Sequence, residues 1–223
     1  MHYKAVIFDL DGTLLDTLQD LADAANQALA DLGFPRHPVD AYRFFVGSGL
    51  NTLIVRILPE GKRDEQTQRQ TVERFKQRYR QNWKATSAPY VGVPAMLDQL
   101  QANGVKLCVL SNKPHDYTTL CVQELLPQWT FFQVLGQRSG VPKKPDARGA
   151  LDIVHCLGLQ KRDILYVGDT AIDMQTAANA QLDSVGVLWG FRSAEELQAA
   201  GARYLISSPE ELVGIVKSGP DFC

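Results

Sequence analysis

The segment Val6-Ile7-Phe8-Asp9-Leu10-Asp11-Gly12-Thr13 sets two carboxylates two positions apart at the end of an apolar run. Asp11-Gly12 is an ordinary way for a strand to turn. Asp9, among Ile7, Phe8 and Leu10, would be desolvated at a cost of several kcal/mol unless a cation or a hydrogen-bond network holds it. Polar residues also interrupt later apolar runs: Ser111-Asn112-Lys113, Lys143-Lys144, Gly168-Asp169-Thr170 and then Asp173. Converging carboxylates repel one another unless a divalent cation sits among them. An all-oxygen set suits Mg²⁺ and disfavours zinc, since no His or Cys accompanies the group. With a lysine, a hydroxyl and the free N–H groups of a helix start, such a site is arranged for a phosphate. A carboxylate there can attack phosphorus and form an aspartyl-phosphate. A second acid two residues on points to the same strand side and can donate, then retrieve, a proton.

The elements that must position these residues follow from periodicity. Short apolar runs at 4–9, 105–111, 131–135, 164–168 and 184–189, with a weaker one at 204–207, alternate with helical patterns such as Met96, Leu97, Leu100 and Leu151, Val154, Leu157. This is the signature of an α/β fold, a Rossmann-like doubly wound parallel sheet with right-handed crossovers. Ligands of such sheets bind outside the carboxyl ends of the strands near the switch point, so all the polar clusters would meet at one edge. Between residues 17 and 86 no strand is expected. Leu18, Leu21, Ala25, Ala28 and Leu32, then Val72, Phe75 and Tyr79, instead recur at helical spacing. The sequence therefore divides into a core, 1–16 and 87–223, and an inserted small helical cap, 17–86. The first cap helix is expected to start near Thr17, with Asp20 completing an imperfect capping box, and to stop at Gly33. The Lys- and Arg-rich stretch 62–84 reads as a solvated helix face.

Composition excludes several classes. The chain has 223 residues, 45% hydrophobic and 22% charged, with a formal net charge of −2. It lacks the basic excess of a nucleic-acid binder. Cys108, Cys121, Cys156 and Cys223 form no Cys-x-x-Cys pair, and reduced thiols in a cytoplasm are the simplest reading. The first apolar run breaks at Asp9, too early for a secretory signal, and no run is long enough to span a bilayer. An EF-hand reading of the Asp-x-Asp-Gly segment fails because Leu14 stands where that loop needs glycine.

Asp9-Leu10-Asp11-Gly12-Thr13, Ser111-Asn112, Lys144-Pro145 and Gly168-Asp169-Thr170 with Asp173 together resemble the four motifs of the haloacid dehalogenase superfamily of phosphohydrolases. The likeness extends over nearly the whole chain, and "PYVGVPAMLDQLQANG", "LSNKP" and "VGDTAIDMQTAANA" resemble its phosphoglycolate phosphatase branch. The resemblance implies Asp9 as nucleophile and Mg²⁺ ligand, and Asp11 as general acid and base whose backbone carbonyl also reaches the metal. It makes Asp169 the remaining metal ligand, Asp173 a residue that orients the site from behind, and Ser111, the Asn112 backbone and Lys144 the phosphate holders. Ala180-Gln181 and Ala147 depart from the family pattern without touching chemistry. Asp11 argues against dehalogenation, and the absence of a lysine in "FFVGSGLNTL" argues against phosphonate cleavage.

The cap stretch Gly47-Ser48-Gly49 is the candidate substrate loop, and Arg43 or Arg56 the candidate cation for the carboxylate of 2-phosphoglycolate. Alternatives are N-acetylmuramate 6-phosphate, another sugar phosphate, a nucleotide or pyrophosphate, and a mutase of the β-phosphoglucomutase kind. A phospho-aspartate signalling domain and a non-catalytic binding protein are the more distant ones. The expected partner is a small phosphorylated metabolite, with no nucleic acid or membrane involved, and the expected state is a monomer or homodimer.

Overall fold

The run after Lys4 forms the strand β1 (Ala5–Phe8), buried along its whole length. Its side chains alternate, Val6 and Phe8 joining one core layer and Ala5 and Ile7 the other. This computed structural model describes residues 3–219; Cys223, one of the four expected thiols, lies outside them.

The chain continues through β2 (Leu15–Asp16), α1 (Leu18–Asp31), α2 (Tyr42–Phe45), α3 (Leu50–Ile57), α4 (Glu65–Asn82), β3 (Ala88–Pro89) and α5 (Val93–Ala102). Then follow β4 (Lys106–Pro114), α6 (His115–Leu125), β5 (Phe131–Gln137), α7 (Arg148–Leu157), β6 (Ile164–Gly168) and α8 (Ala171–Ala180). The last elements are β7 (Asp183–Val187), α9 (Ala194–Ala199), β8 (Tyr204–Ile206) and α10 (Pro209–Ser218). Six strands make one parallel sheet in the order β5-β4-β1-β6-β7-β8. Chain order reverses at β1, which puts the switch point at its carboxyl end. Helices α5, α6 and α10 pack on the Val6/Phe8 layer, and α7 and α8 on the Ala5/Ile7 layer. The α/β fold expected from periodicity is the one observed. Strand β4 runs three residues past its expected end and carries Ser111 and Asn112 within it.

Between β2 and β3 the described residues are helical or irregular. These two short strands pair antiparallel, Leu15 opposite Pro89 and Asp16 opposite Ala88, so the outgoing and returning segments run side by side. Helix α1 stops as expected: Gly33, at φ +72°, lets its own N–H reach Ala30 O and that of Phe34 reach Leu29 O at 2.9 Å. Its start differs. Thr17 makes no side-chain cap, and Asp20 does not complete a capping box but reaches across to the returning segment. It accepts bonds from Thr86 N and Oγ1 and from Ser87 N and Oγ, at 2.6–3.1 Å. A buried carboxylate takes the larger set of donors, and four donors on the neighbouring segment outcompete one turn of its own helix. In α4, Thr71, Phe75 and Tyr79 are buried, while the basic residues stand mostly in solvent. Among the described residues no helix is long and apolar enough to cross a membrane.

Candidate active site

Asp9 is the first residue beyond β1. Its N–H donates to Val167 O at 2.9 Å, which continues the ladder towards β6, and its Oδ1 accepts from Leu10 N at 2.7 Å. The side chain is almost fully buried, and the cation it needs is Lys144, whose Nζ lies 2.9 Å from Asp9 Oδ1. The same ammonium donates to Asp173 Oδ1 at 2.7 Å and Leu110 O at 3.0 Å, so its three donors are all used. Asp173 in turn accepts from Thr170 N and Oγ1 at 3.1 and 2.7 Å, closing a capping box at the start of α8. Asp169, beyond β6, accepts from Thr13 Oγ1 at 3.1 Å and Phe191 N at 2.8 Å. Gly12 is required here: at φ +88°, a Cβ on it would stand 2.3 Å from Asp169 Oδ2.

Asp9, Asp169 and Asp173 each place a carboxylate oxygen within 4.8 Å of the other two, and all three are buried. Burial pushes the Asp9 carboxyl up to about 7; Asp173 and Asp11 add to the rise and Lys144 opposes it. Asp169 is held well above the ordinary carboxylate range, by burial first and then by Asp173 and Asp9. Burial disfavours the charge on Lys144, but the carboxylates of Asp173 and Asp9 outweigh that and keep it an ammonium. Three carboxylates against one ammonium leave an uncompensated negative charge in a low-dielectric setting. The donor set is hard oxygen throughout, which fits a divalent cation of the Mg²⁺ kind.

The Asp11 carboxylate is not part of that group. It accepts from Thr17 Oγ1 at 2.7 Å and from Lys113 Nζ at 2.9 and 3.2 Å. Lys113 is buried, kept charged by Asp11 against the opposing effect of burial, and its ammonium lies 5.1 Å from the centroid of the Tyr79 ring. Sequence reading placed Lys113 in a polar cluster and gave it no role. The signal was present, because a lysine at the end of a buried strand must meet an anion. Ser111 Oγ accepts from Lys113 N at 3.2 Å. The Asn112 side chain accepts from Lys144 N at 2.8 Å and donates to Lys144 O and Gly47 O, both at 3.1 Å, which ties the third-motif loop and the insert together.

A cavity of about 280 Å³ lies between the insert and the strand ends, lined by Asp9, Asp11, Ser111 and Asn112 on one side and by Gly47 and Gly49 on the other. The loop holding these glycines is fastened from the core. Lys143 Nζ donates to Ser48 O at 2.7 Å, and Arg192 donates to the carbonyls of Arg43 and Val46. Gly49, at φ +86°, brings the loop so near that a Cβ would lie 3.2 Å from Asn112 O. Arg43 and Arg56 do not line the cavity. Arg43 donates to Gly190 O at 2.9 Å and Arg56 to Phe44 O and Phe45 O at 3.0 and 3.1 Å, the short reach of each guanidinium being spent on nearby carbonyls. The cations that do line it are Lys76, Arg80 and Lys113.

The family model described as haloacid dehalogenase-like hydrolase matches residues 6–187, a span that holds every carboxylate just described. The chain belongs to the haloacid dehalogenase-like hydrolases. Among curated members, proteins named phosphoglycolate phosphatase from Chromobacterium violaceum and Psychrobacter arcticus are 33% and 31% identical to it. The first match covers 98% of both chains and the second 89% of both. A solved hydrolase structure from Lactobacillus delbrueckii subsp. bulgaricus, whose phosphoglycolate phosphatase name is provisional, superposes with a TM-score of 0.91. It is 33% identical, and the match covers 97% of this chain and 99% of that one.

Proposed function

We propose that this phosphatase hydrolyses a small phosphomonoester through an aspartyl-phosphate on Asp9, with 2-phosphoglycolate as the substrate that the relatives' names indicate. The observation that carries the reading is Asp9 itself: a buried carboxylate gripped by Lys144, beside two further carboxylates and open to a cavity. Both contacts of Asp9 fall on Oδ1, so Oδ2 is the oxygen left to attack phosphorus. As the Asp9–phosphorus bond forms, the ester oxygen leaves and takes a proton from Asp11. Asp11 then takes a proton from water, whose oxygen displaces Asp9 and frees phosphate. Ser111 and the Asn112 backbone hold the phosphoryl oxygens, and Lys144 offsets charge on Asp9 and on the phosphate.

Asp9, Asp169 and the Asp11 backbone carbonyl would hold Mg²⁺, which when bound neutralises the carboxylates and the phosphate oxygens. Asp173, with both its oxygens already accepting from Lys144 and Thr170, supports the site from behind. The chain is read as a core and a cap divided at 16/17 and 86/87, a reading supported by the pairing of β2 with β3 next to those positions, and the insert is read as the lid of the site. The thiols of Cys108, Cys121 and Cys156 are unpaired, in keeping with a cytoplasmic enzyme.

The test is phosphate release from 2-phosphoglycolate, hexose phosphates, N-acetylmuramate 6-phosphate, nucleoside monophosphates and pyrophosphate, with Mg²⁺ and with chelator. A Mg²⁺-dependent release led by 2-phosphoglycolate supports the reading. A flat profile removes the substrate and keeps the reaction. Conversion of β-glucose 1-phosphate to glucose 6-phosphate would replace it with the mutase.

A further inference from the structure

A phosphate monoester meets this protein as an anion, and the bottom of the cavity has little to draw it in. Asp9 and Asp11 line it, with Asp169 and Asp173 close behind. Against these four carboxylates stand only the ammonium groups of Lys113 and Lys144, which are spent on Asp11, Asp9 and Asp173. A bound divalent cation no more than evens that balance. Outside the insert the chain carries seventeen Asp and Glu against twelve Lys and Arg. The insert, 17–86, has the opposite sign, with eleven Lys and Arg against eight Asp and Glu.

That positive excess reaches the cavity at its rim. Of the residues that line it, Lys76, Arg80 and Asp116 alone are exposed, so they mark where it opens. Two are cations one turn apart on α4, and the third is a carboxylate in the first turn of α6. Arg80 has no ion pair or hydrogen bond among the described residues. Glu73, the partner of Lys76 at 3.1 Å, does not line the cavity. The same two cations also line a wider groove of about 740 Å³ along α4, where Arg69 and Arg74 join them and Glu73 is the one acid. A positive strip thus leads from solvent to the rim.

We propose that Lys76 and Arg80, with Arg69 and Arg74 outside them, form an electrostatic approach that concentrates the anionic substrate at the rim before it touches the residues that react, and that Asp116 works against them. The proposal rests on the phosphatase reading above for the charge of the substrate, and on no particular leaving group. Charges of one sign beside a low-dielectric cleft focus their field into it. The attraction acts through space, so it grows with the charge of the substrate and weakens in salt.

The experiment measures kcat and KM for 2-phosphoglycolate and 4-nitrophenyl phosphate at saturating Mg²⁺. Ionic strength is set at about 30 and about 300 mM, which shortens the screening length roughly threefold. The proteins are the wild type, Arg80→Gln, Lys76→Gln, the double variant and Asp116→Asn. At low salt the double variant should lose about five- to tenfold in kcat/KM for 2-phosphoglycolate, and less for the lower charge of the aryl ester. At high salt the loss should shrink to about twofold, with kcat unchanged throughout. Asp116→Asn should gain about twofold at low salt, a change of opposite sign that damage to the fold would not produce. A wild-type kcat/KM indifferent to salt, or a salt dependence that survives in the double variant, overturns the inference and leaves the phosphatase standing. So does a loss confined to 2-phosphoglycolate, which would make the two cations direct holders of its carboxylate. No release from either ester overturns both.

Discussion

Lys113 Nζ sits 2.9 Å from Asp11 Oδ1, with the Tyr79 ring of the insert 5.1 Å away on its other side. One core lysine thus touches both the proposed proton donor and the helix that walls the substrate cavity. Lys113→Met leaves the partly buried Asp11 carboxylate without its cation and with Thr17 Oγ1 as its remaining donor, at a cost of about 3 kcal/mol in urea unfolding. Turnover should fall at least tenfold. The double variant Asp11→Asn, Lys113→Met should be more stable than Lys113→Met alone, because the orphaned charge has gone. Equal stability of the two would mean that the pair is not coupled.

Asp9→Asn should abolish phosphate release and leave the fold in place. Lys144 keeps Asp173 and Leu110 O as acceptors, and one charge leaves a crowded carboxylate group, so the melting temperature should change by only a few degrees. Appreciable activity in a clean preparation would take the nucleophile's role away from Asp9.

Chelation should stop the reaction, and added Mg²⁺ should restore it in full. Because a cation offsets repulsion among Asp9, Asp169 and Asp173, saturating Mg²⁺ should also raise the melting temperature. In Asp169→Asn that thermal shift should shrink. A melting curve indifferent to Mg²⁺ would argue against metal binding there.

Asp20 offers a measurement away from the chemistry. Burial disfavours its charge, but the bonds from Ser87 and Thr86 prevail and hold the carboxyl below its usual range. Its contribution to stability is therefore present above the unfolded pKa of about 3.9 and is lost as pH falls through the lower folded value. Asp20→Ala should cost about 2–3 kcal/mol at neutral pH, since it strands several donors. It should also flatten the decline of stability in the acid range. An unchanged acid limb would show that Asp20 is ionised no more readily in the folded state.

Periodicity was enough for the sheet because a parallel strand buried on both faces leaves a continuous apolar run, as at Ile164–Gly168. The polar clusters were legible for the complementary reason: Asp9, Asp169 and Lys144 are costly where the chain puts them and announce themselves by type. Partners were not legible. Nothing near Asp20 in sequence says that it bonds Thr86, and nothing near Lys113 says that it meets Asp11 or Tyr79, since those pairs span 66, 102 and 34 positions. Two-residue strands such as β2 and β3 are too short to leave a pattern. Arg43 and Arg56 stood in the right stretch of chain, but their guanidinium groups are taken by backbone carbonyls of other elements, Gly190 O in the core and Phe44 O on α2, which nothing in the local sequence announces.

β1 pairs on one side with β4, Ala5 opposite Lys106, and on the other with β6, Ala5 opposite Ile164. On the ribosome, at about 5–20 residues per second, the first of these neighbours emerges some 5–20 s after β1 itself. Throughout that interval a strand that is buried along its whole length in the finished enzyme is a bare hydrophobic segment. The helices between β2 and β3 can settle locally in the meantime, but β1 cannot. The architecture that delivers Asp9 to the centre of the sheet thus makes the first strand to be synthesised one that cannot pair until about half of the chain has followed it.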